Sequence, residues 1–163
     1  IKFNVSYFDS VCSMNVLNTT PYHYLKRIDG SLTNKFLPDY FTLNAERVFL
    51  VLEQYKNWGM CTEEVRRILA NIYVRYLFSA LQRNCDKRSD MNHAQRKEWL
   101  KQQYKTPLCK ELLSAVQASG TLFKCMAKAF CAGNIPLCLM IARSIFAVKS
   151  AFPTVFSTLK QQH

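Results

Sequence analysis

Residues 65–81 read VRRILANIYVRYLFSAL, and this run decides the fold. Val65, Ile68, Leu69, Ile72, Tyr73, Tyr76, Leu77, Ala80 and Leu81 recur at spacings of three and four over about five turns, the period of a helix with one apolar face. Thr62 is placed to cap its start, and Glu63 and Glu64 complement the dipole of the first turn. Arg66, Arg67, Arg75 and Arg83 fall off the stripe and are expected to be solvated. A helix this apolar needs partners, and the flanking sequence supplies them.

Upstream, Pro38–Asp39 opens a predicted helix to about Trp58, with Phe41, Val48, Leu52 and Tyr55 on one face and Gly59 as its stop. Downstream, Ser89 or Asp90 is expected to cap a polar helix running to about Tyr104. Thr106–Pro107 pairs a cap with proline at the first helical position, which predicts a helix ending at Gly120. A short helix follows from Thr121 to Gly133, and Asn134 with Pro136 starts another that runs to about Lys149. Pro153 interrupts the pattern, and a final helical turn is expected to carry Val155, Phe156 and Leu159. The apolar stretch 135–148 has 14 residues, short of the roughly 20 that cross a bilayer. It reads either as the central buried helix of a bundle or as one arm of a hairpin, with Leu122, Met126 and Phe130 on the other, lying on a membrane surface.

Ahead of these helices the pattern changes. Residues 3–11 place Phe3, Tyr7, Phe8 and Val11 on one helical face, residues 13–18 alternate weakly as a strand, and Tyr22 and Tyr24 alternate with His23 and Leu25 as a second. Asp29–Gly30 then turns the chain. Two strands alone are marginal, so this part is expected to need a larger sheet. The fold class is therefore mainly α: a bundle of five to six helices in residues 38–163, preceded in residues 1–37 by a small helix-strand-strand unit.

The segment 21–36, PYHYLKRIDGSLTNKF, is also where side chains of chemical interest concentrate. Lys26 and Arg27 precede the turn, and Ser31, Thr33 and Asn34 follow it, a set suited to a phosphate or sugar. On spacing alone it also reads, and more readily, as a solvated hairpin with two tyrosines in an ordinary core.

The run from Asn15 through Pro21, Tyr22 and Tyr24, followed by Arg27 and Gly30-Ser31-Leu32-Thr33-Asn34, resembles the close of the catalytic domain in bacterial family 2 glycosyltransferases of GT-A type. Phe3–Asn4 and Tyr7–Phe8 resemble the short helix that follows that family's Glu-Asp motif. The resemblance implies that residues 1–37 are the end of a catalytic domain whose carboxylates lie upstream, with residues 38–163 as a helical accessory domain. It implies a parent enzyme that uses a nucleotide-sugar donor and a divalent metal, Mg or Mn, to build surface polysaccharide at the cytoplasmic face of the membrane. By position His23, Arg27 and Ser31 would approach the donor, with Arg27 on its phosphates and Ser31 ordering the loop over them. The sequence contains no Asp-x-Asp and no Glu-Asp dipeptide, so it carries no catalytic or metal-binding carboxylates of the family type and is expected to be inactive alone. Its partner would be the rest of the catalytic domain.

Composition sets outer bounds. The 163 residues are 49% hydrophobic, 20% charged and 13% aromatic, which suits a folded chain with a real core. No secretory signal pattern is visible, and Ile1 in first position fits an excised or processed chain. Seven cysteines, at 12, 61, 85, 109, 125, 131 and 138, form no C-x-x-C pair and no zinc-ligand spacing with histidine, so reduced thiols in a cytoplasmic protein are expected. The net charge is +11, and no acid occurs after Glu111 while Lys124, Lys128, Arg143 and Lys149 remain. Such a surface is attracted to anionic membranes or other polyanions. A non-enzymatic basic module that binds anionic membrane or a protein is thus the alternative to the transferase reading. Nucleic acid is the weaker partner, because the basic residues are spread over several helices and no aromatic-basic RNA motif occurs.

Overall fold

The computed structural model describes residues 2–15, 18–19 and 36–152. Among them are seven helices and no strand: α1 (Lys2–Phe8), α2 (Tyr40–Asn57), α3 (Glu63–Arg83), α4 (His93–Lys105), α5 (Pro107–Leu113), α6 (Thr121–Cys131) and α7 (Ile135–Ala151). The helical bundle expected from residue 38 onward is present as the six helices α2–α7. Residues 13–15, expected to begin the first strand, have no regular structure. The second strand and the turn after it, like the last helical turn at 155–159, lie outside the described residues.

α3 is the axis of the molecule, with α2, α5, α6 and α7 packed around it. Leu69, Ala70, Tyr73, Val74, Leu77, Phe78, Ala80 and Leu81 are all buried on it. This arc is wider than the expected stripe. Val74 and Phe78, which lie off the three-four pattern, are fully buried, and Ile68, which lies on it, is 49% exposed. Packing on several sides rotates the buried surface beyond what one amphipathic face predicts. The same packing overturns the reading of residues 135–148 as the central helix. α7 lies against α3, α6 and α4 and buries Cys138, Leu139, Ile141 and Ala142, while Met140 and Val148 stay exposed.

Local chemistry explains most helix boundaries. Thr62 accepts from the Val65 amide and Thr106 from the Cys109 amide, as their capping role requires. Asn134 likewise accepts from Leu137 N. α4 starts later than expected. Its cap is Asn92, which accepts from Gln95 N at 2.9 Å while the Gln95 side chain accepts from Asn92 N at 2.7 Å, a reciprocal capping box. Gly59 and Gly133 end α2 and α6 with φ of +67° and +64°, a region that L side chains rarely adopt.

α5 stops at Leu113, short of Gly120, and the cause is tertiary. Asn71 on α3 donates to the Gln117 carbonyl at 2.8 Å and accepts from the Gln117 amide at 3.1 Å. Both groups that a continued helix would use at residue 117 are thereby engaged by a side chain. Elsewhere aromatic contacts join the helices. Phe41 of α2 sits edge-on to Tyr73 of α3 at 5.4 Å and to Trp99 of α4 at 5.3 Å. Tyr104 of α4 stacks on Phe130 of α6 at 4.8 Å and donates its hydroxyl to the Phe130 carbonyl at 2.7 Å.

Candidate functional site

His23, Arg27 and Ser31 lie outside the described residues, and only their flanks are seen. On one side Asp9, just after α1, accepts from Trp58 Nε1 at 2.9 Å and from the Gln54 amide, both on the C-terminal end of α2. On the other, Phe36 lies under the Arg88 guanidinium, 5.6 Å from carbon to ring centroid, beside the C-terminal end of α3. The N-terminal part is therefore tied to the bundle at two separate places.

Lys124 and Lys128 stand one turn apart on α6, and Arg143 and Lys149 on α7; all four are exposed. The structure corrects the hairpin drawn from the sequence, because Met126 and Phe130 of α6 are buried at 8% and 1% exposure and do not face outward with Leu122. The exposed apolar residues on this side are Leu122 on α6 and Met140, Val148 and Phe152 on or just after α7. Among the described residues no helix is long and apolar enough to cross a membrane.

A second basic region surrounds the loop from α3 to α4, where Arg83, Lys87, Arg88, Arg96 and Lys97 gather against two acids, Asp86 and Asp90. Two of these arginines are committed. Arg83 lies over the Tyr40 ring at 4.3 Å, and the Arg88 side chain grips both carboxylate oxygens of Asp86 at 3.0 and 2.8 Å. The Arg88 side chain and amide hold the Asp86 carboxyl down to about 2. The side chains of Arg96 and Arg143 make no ion pair or hydrogen bond within the described residues, and Arg96 Nε is buried without an acceptor. Burial pushes the half-buried Cys85 thiol up, and the charges of Arg96 and Arg143 pull it back down.

A polar groove of about 760 Å³ opens at the other end of α3, lined by Cys61, Glu63, Glu64, Arg66, Arg67, Ser114, Ala115 and Gln117. Arg67 pairs with Glu64 at 3.4 Å across an exposed turn, so its charges are largely self-compensated. Nucleophilic chemistry has little support in the core. Burial pushes Cys109 and Cys138 up to about 11, leaving both as thiols at neutral pH. Burial also raises Tyr73 and Tyr104 well above the ordinary phenol range. Among the described residues no three His, Cys, Asp or Glu side chains are grouped to hold a metal ion. Compared with family models, curated proteins and solved structures, the chain matches none.

Proposed function

We propose that this chain is the carboxy-terminal part of a family 2-like glycosyltransferase, comprising the last segment of the catalytic domain in residues 1–37 and a helical accessory domain behind it. The observation that carries the reading is the Tyr-x-Tyr, Arg27 and Ser31-Leu32-Thr33 run in a segment that leads directly into α2. The ties at Asp9 and Phe36 support it further, because they give a helical domain the means to brace a catalytic segment from both sides. In the proposed parent, Arg27 binds the donor phosphates, Ser31 and His23 line the same loop, and the sugar is transferred to surface polysaccharide at the inner face of the membrane. By the same resemblance, Mg or Mn belongs to the catalytic part ahead of residue 1.

The proposal is tested on the residues encoded upstream. A Glu-Asp pair immediately before Ile1 and an Asp-x-Asp farther ahead are expected, and their absence overturns it. With that part restored, release of nucleoside diphosphate from UDP- or GDP-sugars is expected. Arg27→Ala should then lower kcat/KM by about 10- to 100-fold, the scale of lost hydrogen bonds to a charged group. The chain assayed alone should release none.

A second reading draws on α7. Its outward side carries Met140 and Val148 with Arg143 between them, and it supports a non-enzymatic module that binds anionic membrane. Co-sedimentation with anionic but not neutral liposomes, weakened by salt and lost on charge reversal at Lys124, Lys128 and Lys149, is the expected result. Equal behaviour with both vesicle types removes the reading.

A further inference from the structure

We infer that the outward side of α4, through Lys97, Lys101 and Lys105, is a docking surface for the phosphate backbone of a nucleic acid. The face belongs to the described bundle and stands independently of the sugar-transfer reading.

Three observations place it there. The first is alignment. Basic residues look scattered over several helices in the sequence, but Lys97, Lys101 and Lys105 stand four apart on one helix, and all three are exposed. Residues four apart form a ridge inclined by about 26° to the helix axis, with a rise of about 6 Å at each step. The three lysines therefore make one evenly spaced row. The second is the shortage of local acid. From Met91 to Lys110 the chain has five basic residues and one acid, Glu98. Glu98 accepts from Gln102 Nε2 at 2.7 Å and pairs with Lys101 at 3.6 Å. Lys97 and Lys105 make no ion pair among the described residues. The third is that the row has no apolar company. α4 packs against α5 and α7, and its large apolar side chains turn inward: Leu100 is fully buried, Trp99 meets Phe41, and Tyr104 stacks on Phe130.

The chemistry selects the partner. A helix that docks on a bilayer inserts an apolar face between the headgroups, and α4 exposes no large apolar residue, whereas α7 exposes Met140 and Val148. A nucleic acid instead offers charge at a regular repeat, and a row of cations that neutralises it releases condensed counterions. Lysine brings a point charge on a flexible stem, which takes a phosphate without the fixed fork of arginine. Phosphate contacts position a protein but do not read bases, so binding without sequence preference is expected.

The experiment is fluorescence anisotropy of the full chain with labelled duplex and single-stranded oligonucleotides, with sedimentation on anionic vesicles alongside. Three phosphate contacts predict that log K falls linearly with log salt at a slope of about −2 to −3. Lys97→Gln and Lys105→Gln should each reduce that slope by about one and weaken every sequence alike. Arg66→Gln on α3 removes the same charge elsewhere and should leave the slope as it was. All three side chains are exposed, so the variants are expected to fold, as thermal melts would check. Absence of oligonucleotide binding at about 50 mM salt overturns the inference. An unchanged slope in the two lysine variants, or an equal change in the Arg66 variant, does the same. Vesicle binding without oligonucleotide binding also overturns it and gives the face to a membrane.

Discussion

α3 and α7 lie side by side and have opposite relations between composition and burial. α7 is the more apolar sequence, with one arginine and one lysine in 17 residues, yet it leaves Met140 and Val148 in solvent. α3 carries four arginines and two glutamates in 21 residues and holds the centre, with Val74, Leu77 and Phe78 fully buried. What separates them is the number of neighbours. α3 packs against α2, α5, α6 and α7, whereas α7 packs against α3, α4 and α6 and keeps Met140 and Val148 in solvent. Two of the α3 arginines also cover aromatic rings, Arg75 over Phe123 at 4.5 Å and Arg83 over Tyr40 at 4.3 Å. Their charged heads keep contact with water while they close the core.

The comparison is most severely tested at its centre. Leu77→Ala removes a fully buried side chain from the axis and should destabilise the fold by about 2–5 kcal/mol in urea denaturation. A loss below about 1 kcal/mol would mean that α3 is not the hub. Next comes the polar entry to α4. Asn92→Ala opens the capping box and should cost about 1 kcal/mol in the same measurement.

A smaller effect is expected in acid. The folded-state acidity of Asp86 is depressed from 3.8 to about 2, so its grip by Arg88 adds stability above pH 3.8 that fades as pH falls towards 2. Asp86→Asn should remove that part of the acid-limb slope in a pH series of thermal melts, and an unchanged slope would place the acid sensitivity elsewhere. Least affected should be Met140→Ala, on the open side of α7, with a change within about 0.5 kcal/mol. A larger loss would show that this face is covered in solution, and the contrast between the two helices would then shrink.

Most of the helical architecture was legible because it rests on local signals. The three-four spacing of 65–81, the caps at Thr62, Thr106 and Asn134, and the stops at Gly59 and Gly133 all act within a few residues. What was not legible depends on distant groups. The early end of α5 comes from Asn71, 46 positions away from Gln117. The inward turn of Met126 and Phe130 comes from their neighbours in the bundle, as with Phe130 against Tyr104. For the candidate sites the division is sharper. The segment containing Arg27 carries a motif in the sequence but lies outside the described residues, whereas the unsatisfied Nε of Arg96 comes from burial that leaves no mark in its local sequence.

Asn71 has an evolutionary consequence. It reads the peptide unit of residue 117 and ignores the glutamine attached to it, much as an edge strand reads a neighbour's backbone. Drift should therefore be lopsided between the two positions: many amino acids that keep an amide hydrogen are admissible at 117, while 71 admits almost none but asparagine.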